Sequence, residues 1–187
     1  MKKGFSFYDS VYLAYALSLA LFFLGWAVLA SQTTPLFFPS PWLVLRAFKE
    51  MIADGSLWGH MEVSFFRILA GWAIESGLGI TLGLLMGYVR FFKNLFNPYI
   101  QFFRFIPPIS FVTLSLIWFG MGETSKVMLI IYTTIFIVTV NTIAGVMSVS
   151  PIHEQAARCL GANRFQIFIK VILPSTVPFL LTGMRLA

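Results

Sequence analysis

Few residues in this sequence could carry chemistry, and they are widely scattered. The two histidines, His60 and His153, and the single cysteine, Cys159, form no cluster with zinc-ligand spacing, and one cysteine excludes an internal disulfide. No Ser/His/Asp set or pair of catalytic carboxylates can be assembled, which argues against a membrane enzyme. No Gly-x-x-x-x-Gly-Lys-Ser/Thr run is present, so any nucleotide must be bound by another chain. Two features remain. One is a carboxyl, Glu75, inside an apolar stretch, and the other is a polar segment at residues 150–166.

That segment reads Ser-Pro-Ile-His-Glu-Gln-Ala-Ala-Arg-Cys-Leu-Gly-Ala-Asn and is punctuated like a short helix. Ser150 can cap it, with Pro151 at the first helical position, where its missing N–H costs nothing. Arg158 suits the carboxyl end of the helix dipole, Gly161 supplies a left-handed stop, and Asn163 can cap the next helix. The spacing predicts a helix–turn–helix in which Ala156 and Ala157 are small enough to let a partner surface approach.

The elements that position this segment follow from composition. The 187 residues are 58% apolar and 11% charged, with a mean hydropathy of +0.85. That is a membrane protein by composition. At about 20 apolar residues per crossing, the chain holds roughly five spans and leaves no room for a soluble catalytic domain. The first is expected at residues 11–29; Lys2 and Lys3 before it also fit a signal peptide, whose apolar core would be shorter, so a retained span is the simpler reading. Pro35, Pro39 and Pro41 then break the chain before an amphipathic surface helix at 42–53. A second span is expected at 63–89. A basic loop carrying Arg90, Lys93 and Arg104 follows, and Pro107 and Pro108 open a third span, closed by a polar turn at 120–126. A fourth is expected at 127–146, and a fifth from near Ile167, carrying Pro174 and Pro178, to Ala187.

Within the second span, Gly71, Glu75, Gly79, Gly83 and Gly87 recur every fourth residue and form a small-residue seam for close helix packing. Glu75 on that line is either pore-facing or satisfied, or protonated, between helices. The net charge of +6 comes from single basic residues rather than a stripe, which excludes a nucleic-acid footprint. Alternating the spans from a cytoplasmic start puts Lys2, Lys3, Arg90, Lys93, Arg104, Arg158, Arg164 and Lys170 inside, and Arg46, Lys49 and Lys126 outside. The amino terminus and residues 150–166 are therefore expected to be cytoplasmic.

Residues 150–174 resemble the cytoplasmic motif of binding-protein-dependent ABC permeases: Glu-Ala-Ala, three residues, Gly, nine residues, Ile-x-Leu-Pro. Ala156, Ala157 and Gly161 fall in register, as do Val171, Leu173 and Pro174. Phe38-Pro39-Ser40-Pro41, Arg104-Phe-Ile-Pro107, Ile117-Trp118-Phe119-Gly120, Glu123 with Lys126, Asn141-Thr142 with Gly145, and Gly183-Met-Arg185-Leu-Ala look like the nitrate, sulfonate and taurine branch. The resemblance implies an all-α polytopic bundle of the type I importer kind, with five of six spans present. It implies one permease domain over 1–187 in a bacterial inner membrane, ending before the family's last span.

It also implies a coupling helix formed by Glu154, Gln155, Ala156, Ala157, Arg158 and Gly161, followed by Leu173 and Pro174, that docks on an ABC ATPase subunit. The ATPase binds the ATP, and this chain binds no cofactor. A second permease copy forming a homodimer, a periplasmic or lipid-anchored solute-binding protein, and membrane lipid complete the implied partners. Pathway or packing roles fall to Glu75, Gly79, Gly83, Gly87 and Asn141. Gln155 stands where the family has its Glu, with Glu154 one place earlier and about 100° around the helix. The competing reading is a secondary carrier, which would need midplane ionisable residues and repeats that are scarce here.

Overall fold

A computed structural model describes residues 7–187, and every described regular element is helical. In order these are α1 (Phe7–Ser31), α2 (Pro41–Ala53), α3 (Ser56–Tyr88), α4 (Arg90–Phe105), α5 (Pro108–Phe119), α6 (Glu123–Met147), α7 (Pro151–Cys159), α8 (Arg164–Ile167), a π-helical turn (Phe168–Ile172) and α9 (Leu173–Leu186). The expected inside position of Lys2 and Lys3 lies outside the described residues.

The chain divides into two compact units, Met1–Glu62 and Val63–Ala187. In the first, α1 supplies an apolar helix of crossing length whose residues from Tyr12 to Leu29 are almost all exposed, as a lipid-facing helix requires. Trp26 anchors the return of the chain by donating from Nε1 to the Pro39 carbonyl at 3.0 Å. Ser40 then caps α2 through its Oγ, with Pro41 at the first position, and Arg46 pairs with Glu50 one turn on at 2.9 Å. The amphipathic helix expected at 42–53 is therefore present.

The second unit is organised around α6. Along α3 the glycines meet α6 in a fixed order: a Cβ on Gly71 would lie 2.6 Å from Ile130, on Gly79 3.1 Å from Val138, on Gly83 2.5 Å from Thr142 and on Gly87 2.6 Å from Val146. Residue numbers rise together on both helices, so α3 and α6 are parallel. Opposite them, Gly145 faces Thr176 and Phe179, and Gly183 faces Asn141 and Val138, so α9 runs antiparallel to α6. Backbones approach closely where side chains are smallest, as helix packing in lipid requires.

Parallel α3 and α6 demand an odd number of crossings between them. The chain between is α4 and α5, bent by 97° at residues 106 and 107. Proline causes the bend: Ile106 is held extended by the ring that follows, and Pro107 has no N–H to continue the ladder. At 12 residues, α5 rises only about 18 Å, too little for a hydrocarbon core of about 30 Å, so α4 and α5 cross as one broken span. With α1, α3, α6 and the helix over Arg164–Leu186, the crossings among the described residues number five.

Four expectations change. The basic loop holding Arg90, Lys93 and Arg104 is helix α4. The second span begins earlier, at Ser56, and the turn before α6 is shorter, because Glu123 already opens that helix. The last span begins at Arg164 and widens to π geometry over Phe168–Ile172. Pro174 accounts for the widening, since it cannot donate and its ring crowds the carbonyl four residues back.

Candidate functional site

Two places in the second unit gather the residues singled out by sequence. At one end of the bundle, α7, its turn and α8 form the expected helix–turn–helix. Ser150 occupies the cap position, but its side chain makes no capping bond. Its carbonyl instead accepts from His153 N at 3.0 Å. Gly161 ends the turn with φ +81°, a left-handed conformation that suits glycine. Asn163 and Gln166 form a reciprocal capping box, with Gln166 N donating to Asn163 Oδ1 at 2.8 Å and Asn163 N to Gln166 Oε1 at 2.9 Å.

The turn is fixed to the bundle from beneath. Val146, Ile167 and Ile172 are buried together, and Tyr88, Ala157, Ala162 and Phe168 pack around them. Tyr88 also donates its hydroxyl to the Arg164 carbonyl at 3.0 Å and lies 5.1 Å, ring to ring, from Phe168. These contacts separate the two alanines. Ala157 turns inward against the segment's own core, whereas Ala156 is exposed, so only Ala156 has the outward position expected for both. Gln155 is exposed as well, and Glu154 is half-buried, 3.9 Å from Arg158. The outward surface carries bare apolar groups, Ile152 at 65% and Leu160 at 89% exposure. Leu173 and Pro174 lie behind the turn, where the π segment passes into α9.

The second place is the α3–α6–α9 interior and the cavity beside it. Gly79, Gly83 and Gly87 all face α6, so their role is close packing. Glu75 lies on the same seam and is fully buried. Its Oε1 accepts from Ser76 Oγ at 3.0 Å, and its Oε2 has no hydrogen-bond partner among the described residues. It does not line the cavity. Asn141 does, together with Arg104, Tyr132, Phe136, Ile137 and Val140, around about 280 Å³ of space. Asn141 Nδ2 donates to the Ile137 carbonyl at 2.9 Å.

At the end of the bundle away from α7, Arg67 of α3 forms a two-pronged pair with Glu123, one prong at 2.9 Å, and Lys126 joins the same carboxylate at 2.8 Å. The pair ties the start of α6 to α3. Nothing in the sequence spacing joins Arg67 to Glu123, residues so far apart in the chain. Tyr132 was not singled out from sequence; its hydroxyl donates to the carbonyls of Phe103 at 2.7 Å and Ile106 at 3.3 Å, where α4 ends.

Membrane-length helices, a proline-broken crossing and a helix–turn–helix at one end define a polytopic membrane protein. Residues 79–187 match the family described as the binding-protein-dependent transport system inner membrane component, and the chain belongs to that family. It is 39% identical over 168 residues to the taurine transport system permease protein TauC of Escherichia coli (strain K12), a match covering 86% of this chain and 61% of that one. It is 35% identical over 149 residues to a putative aliphatic sulfonates transport permease protein, SsuC, of Bacillus subtilis (strain 168), covering 80% and 54%. Against the nitrate import permease protein NrtB of Leptolyngbya laminosa, identity is 31% over 134 residues, covering 72% and 48%. The chain thus spans about half to three fifths of the length of these relatives.

Proposed function

We propose that this chain is the non-catalytic permease subunit of an ATP-driven importer in a bacterial inner membrane, moving a small solute of the nitrate, sulfonate or taurine class. A partner ATPase binds and hydrolyses the ATP, an external binding protein delivers the solute, and a second copy of this chain completes the pathway. The α7 end is cytoplasmic, in keeping with Arg90, Lys93, Arg158, Arg164 and Lys170 gathered there.

The observation that carries this reading is the construction of the α7 turn. It is rigid beneath, through the capping box and the Val146–Ile167–Ile172 core, and it is apolar and small on its free face, at Ile152, Ala156 and Leu160. A rigid knob of that kind can be pushed by a partner without unfolding. The π segment and α9 leave directly from it, so movement of the knob is delivered to the helix packed along α6. The names of the relatives supply the solute class.

The test is uptake into liposomes holding the chain with its ATPase and binding protein. ATP-dependent uptake of taurine, an alkanesulfonate or nitrate is expected. Uptake driven by an ion gradient without ATP would establish the secondary-carrier reading instead.

A further inference from the structure

Arg104 is a charged group within the crossing part of the second unit that serves neither the seam nor the α7 turn nor an ion pair among the described residues. Arg104 closes α4, is exposed, and has no carboxylate within salt-bridge distance among the described residues. Its guanidinium carbon lies 6.0 Å from the centre of the Phe105 ring.

Its depth is set by Tyr132, which bonds to the carbonyl of the adjoining Phe103 at 2.7 Å. About 14 Å of helix separates Tyr132 from the start of α6 at Glu123, and about 22 Å separates it from the end at Met147, at 1.5 Å per residue. The opposite end of α4 marks the level of Met147, since Lys93 Nζ lies 3.3 Å from Met147 Sδ. Arg104 is therefore well inside a hydrocarbon core of about 30 Å. A guanidinium at that depth does not face lipid. Such groups turn to a protein interior or a water-filled cavity and mark solute paths.

A cavity is present at that place. Arg104 shares it with Tyr132 and Asn141, and its other walls are mainly apolar, with no acidic side chain among them. Its volume of about 280 Å³ is at the small end of ligand sites. A planar cation with five donors, in a site without a counter-charge, selects an oxyanion that accepts two parallel bonds. Nitrate and sulfonate have that shape.

We infer that Arg104 determines solute specificity in the pathway, its guanidinium receiving the oxyanion group of the solute in the cavity it shares with Tyr132 and Asn141. The inference rests on the reading of this chain as an import permease and adds to it a residue and a charge rule. Asn141 stands on the cavity wall as a polar group able to bond the rest of the solute.

The complete importer in liposomes tests it, with taurine, ethanesulfonate and nitrate as labelled probes. For whichever probe the wild type imports, Arg104→Gln is expected to lower uptake at least tenfold. Arg104→Lys, which keeps the charge and loses the fork, should recover part of it. Membrane level and ATPase co-purification should match the wild type for both variants. Arg104→Gln importing at the wild-type rate overturns this inference and leaves the importer reading standing. Equal loss of assembly in both variants overturns it too, because the role is then structural. A wild type that imports none of the three with ATP overturns both.

Discussion

Gly83→Ala tests the architecture at its tightest point. An added Cβ would lie 2.5 Å from Thr142 Cβ, 2.7 Å from Thr142 Cγ2 and 2.8 Å from the Thr139 carbonyl oxygen. Ordinary contacts need about 1 Å more, and the carbonyl cannot rotate away, since it belongs to the α6 backbone. The helices must part, and overpacking of this kind costs about 1 to 3 kcal/mol. Alanine's better helix propensity returns roughly 0.5 to 1 kcal/mol, leaving a net loss of about 0 to 2.5 kcal/mol, with about 1 to 3 kcal/mol separating it from an unclashed Gly→Ala change. Gly77 is the matched control, because it lies on the same helix with nothing within 4 Å of an added Cβ. Gly77→Ala should therefore stabilise by the propensity gain alone. Unfolding in mixed micelles, followed by tryptophan fluorescence, reads the difference. Adding Thr142→Ser to Gly83→Ala removes only Cγ2, so it should restore less than half the loss. Equal stability of Gly83→Ala and Gly77→Ala would refute the parallel α3–α6 contact.

Ala156→Glu places a carboxylate on the free face of α7, so the chain should reach the membrane at normal level and lose ATPase co-purification. Ala157→Glu buries the charge against Val146, Ile167 and Ile172 at a cost of several kcal/mol, so protein level should fall first. Gly161→Val strains a residue held at φ +81° by roughly 1 to 2 kcal/mol; co-purification should fall with insertion unchanged, and normal association would contradict a fixed turn. Reporters fused after Gly161 and after Gly55 should appear on opposite faces of the membrane, the first cytoplasmic, and finding both on one face would refute the five-crossing order.

The turn at residues 150–166 was legible in the sequence because its signals are local. Pro151, Gly161 and Asn163 act through their own backbone or the next turn, and each stands where its preference puts it. The glycine line on α3 was legible for a similar reason, since a spacing of four selects one helix face whatever packs on it. Which face of α7 turned outward was not legible. Ala156 and Ala157 are chemically identical, and their fates are decided by Ile167 and Ile172 from the following helix. The π segment was likewise hidden, although Pro174 was in view, because a proline can be absorbed by a kink, a break or a widened turn.

Arg104 shows why counting charges by loop misplaces a residue when a crossing is broken. In a straight succession of spans, a basic residue just before a proline pair belongs to the loop, and the excess of lysine and arginine assigns that loop a side. Here the proline pair is inside the crossing, and the helix before it, α4, climbs from the level of Met147 to that of Tyr132. At the bend the Phe103 carbonyl accepts from Ile106 N at 3.2 Å and from the Tyr132 hydroxyl, which also reaches the Ile106 carbonyl, and this holds the end of α4 at that depth. The same proline that lets the chain turn by 97° therefore places the preceding arginine within the span, beside a cavity. Removing the Tyr132 hydroxyl as Tyr132→Phe leaves the Ile106 carbonyl without its donor and the Phe103 carbonyl with Ile106 N alone, in a medium with few donors. It should loosen the end of α4 and lower oxyanion uptake in step with Arg104→Gln, while ATPase co-purification through the distant α7 turn is kept. Uptake unaffected by Tyr132→Phe would mean that the position of Arg104 does not depend on this anchor.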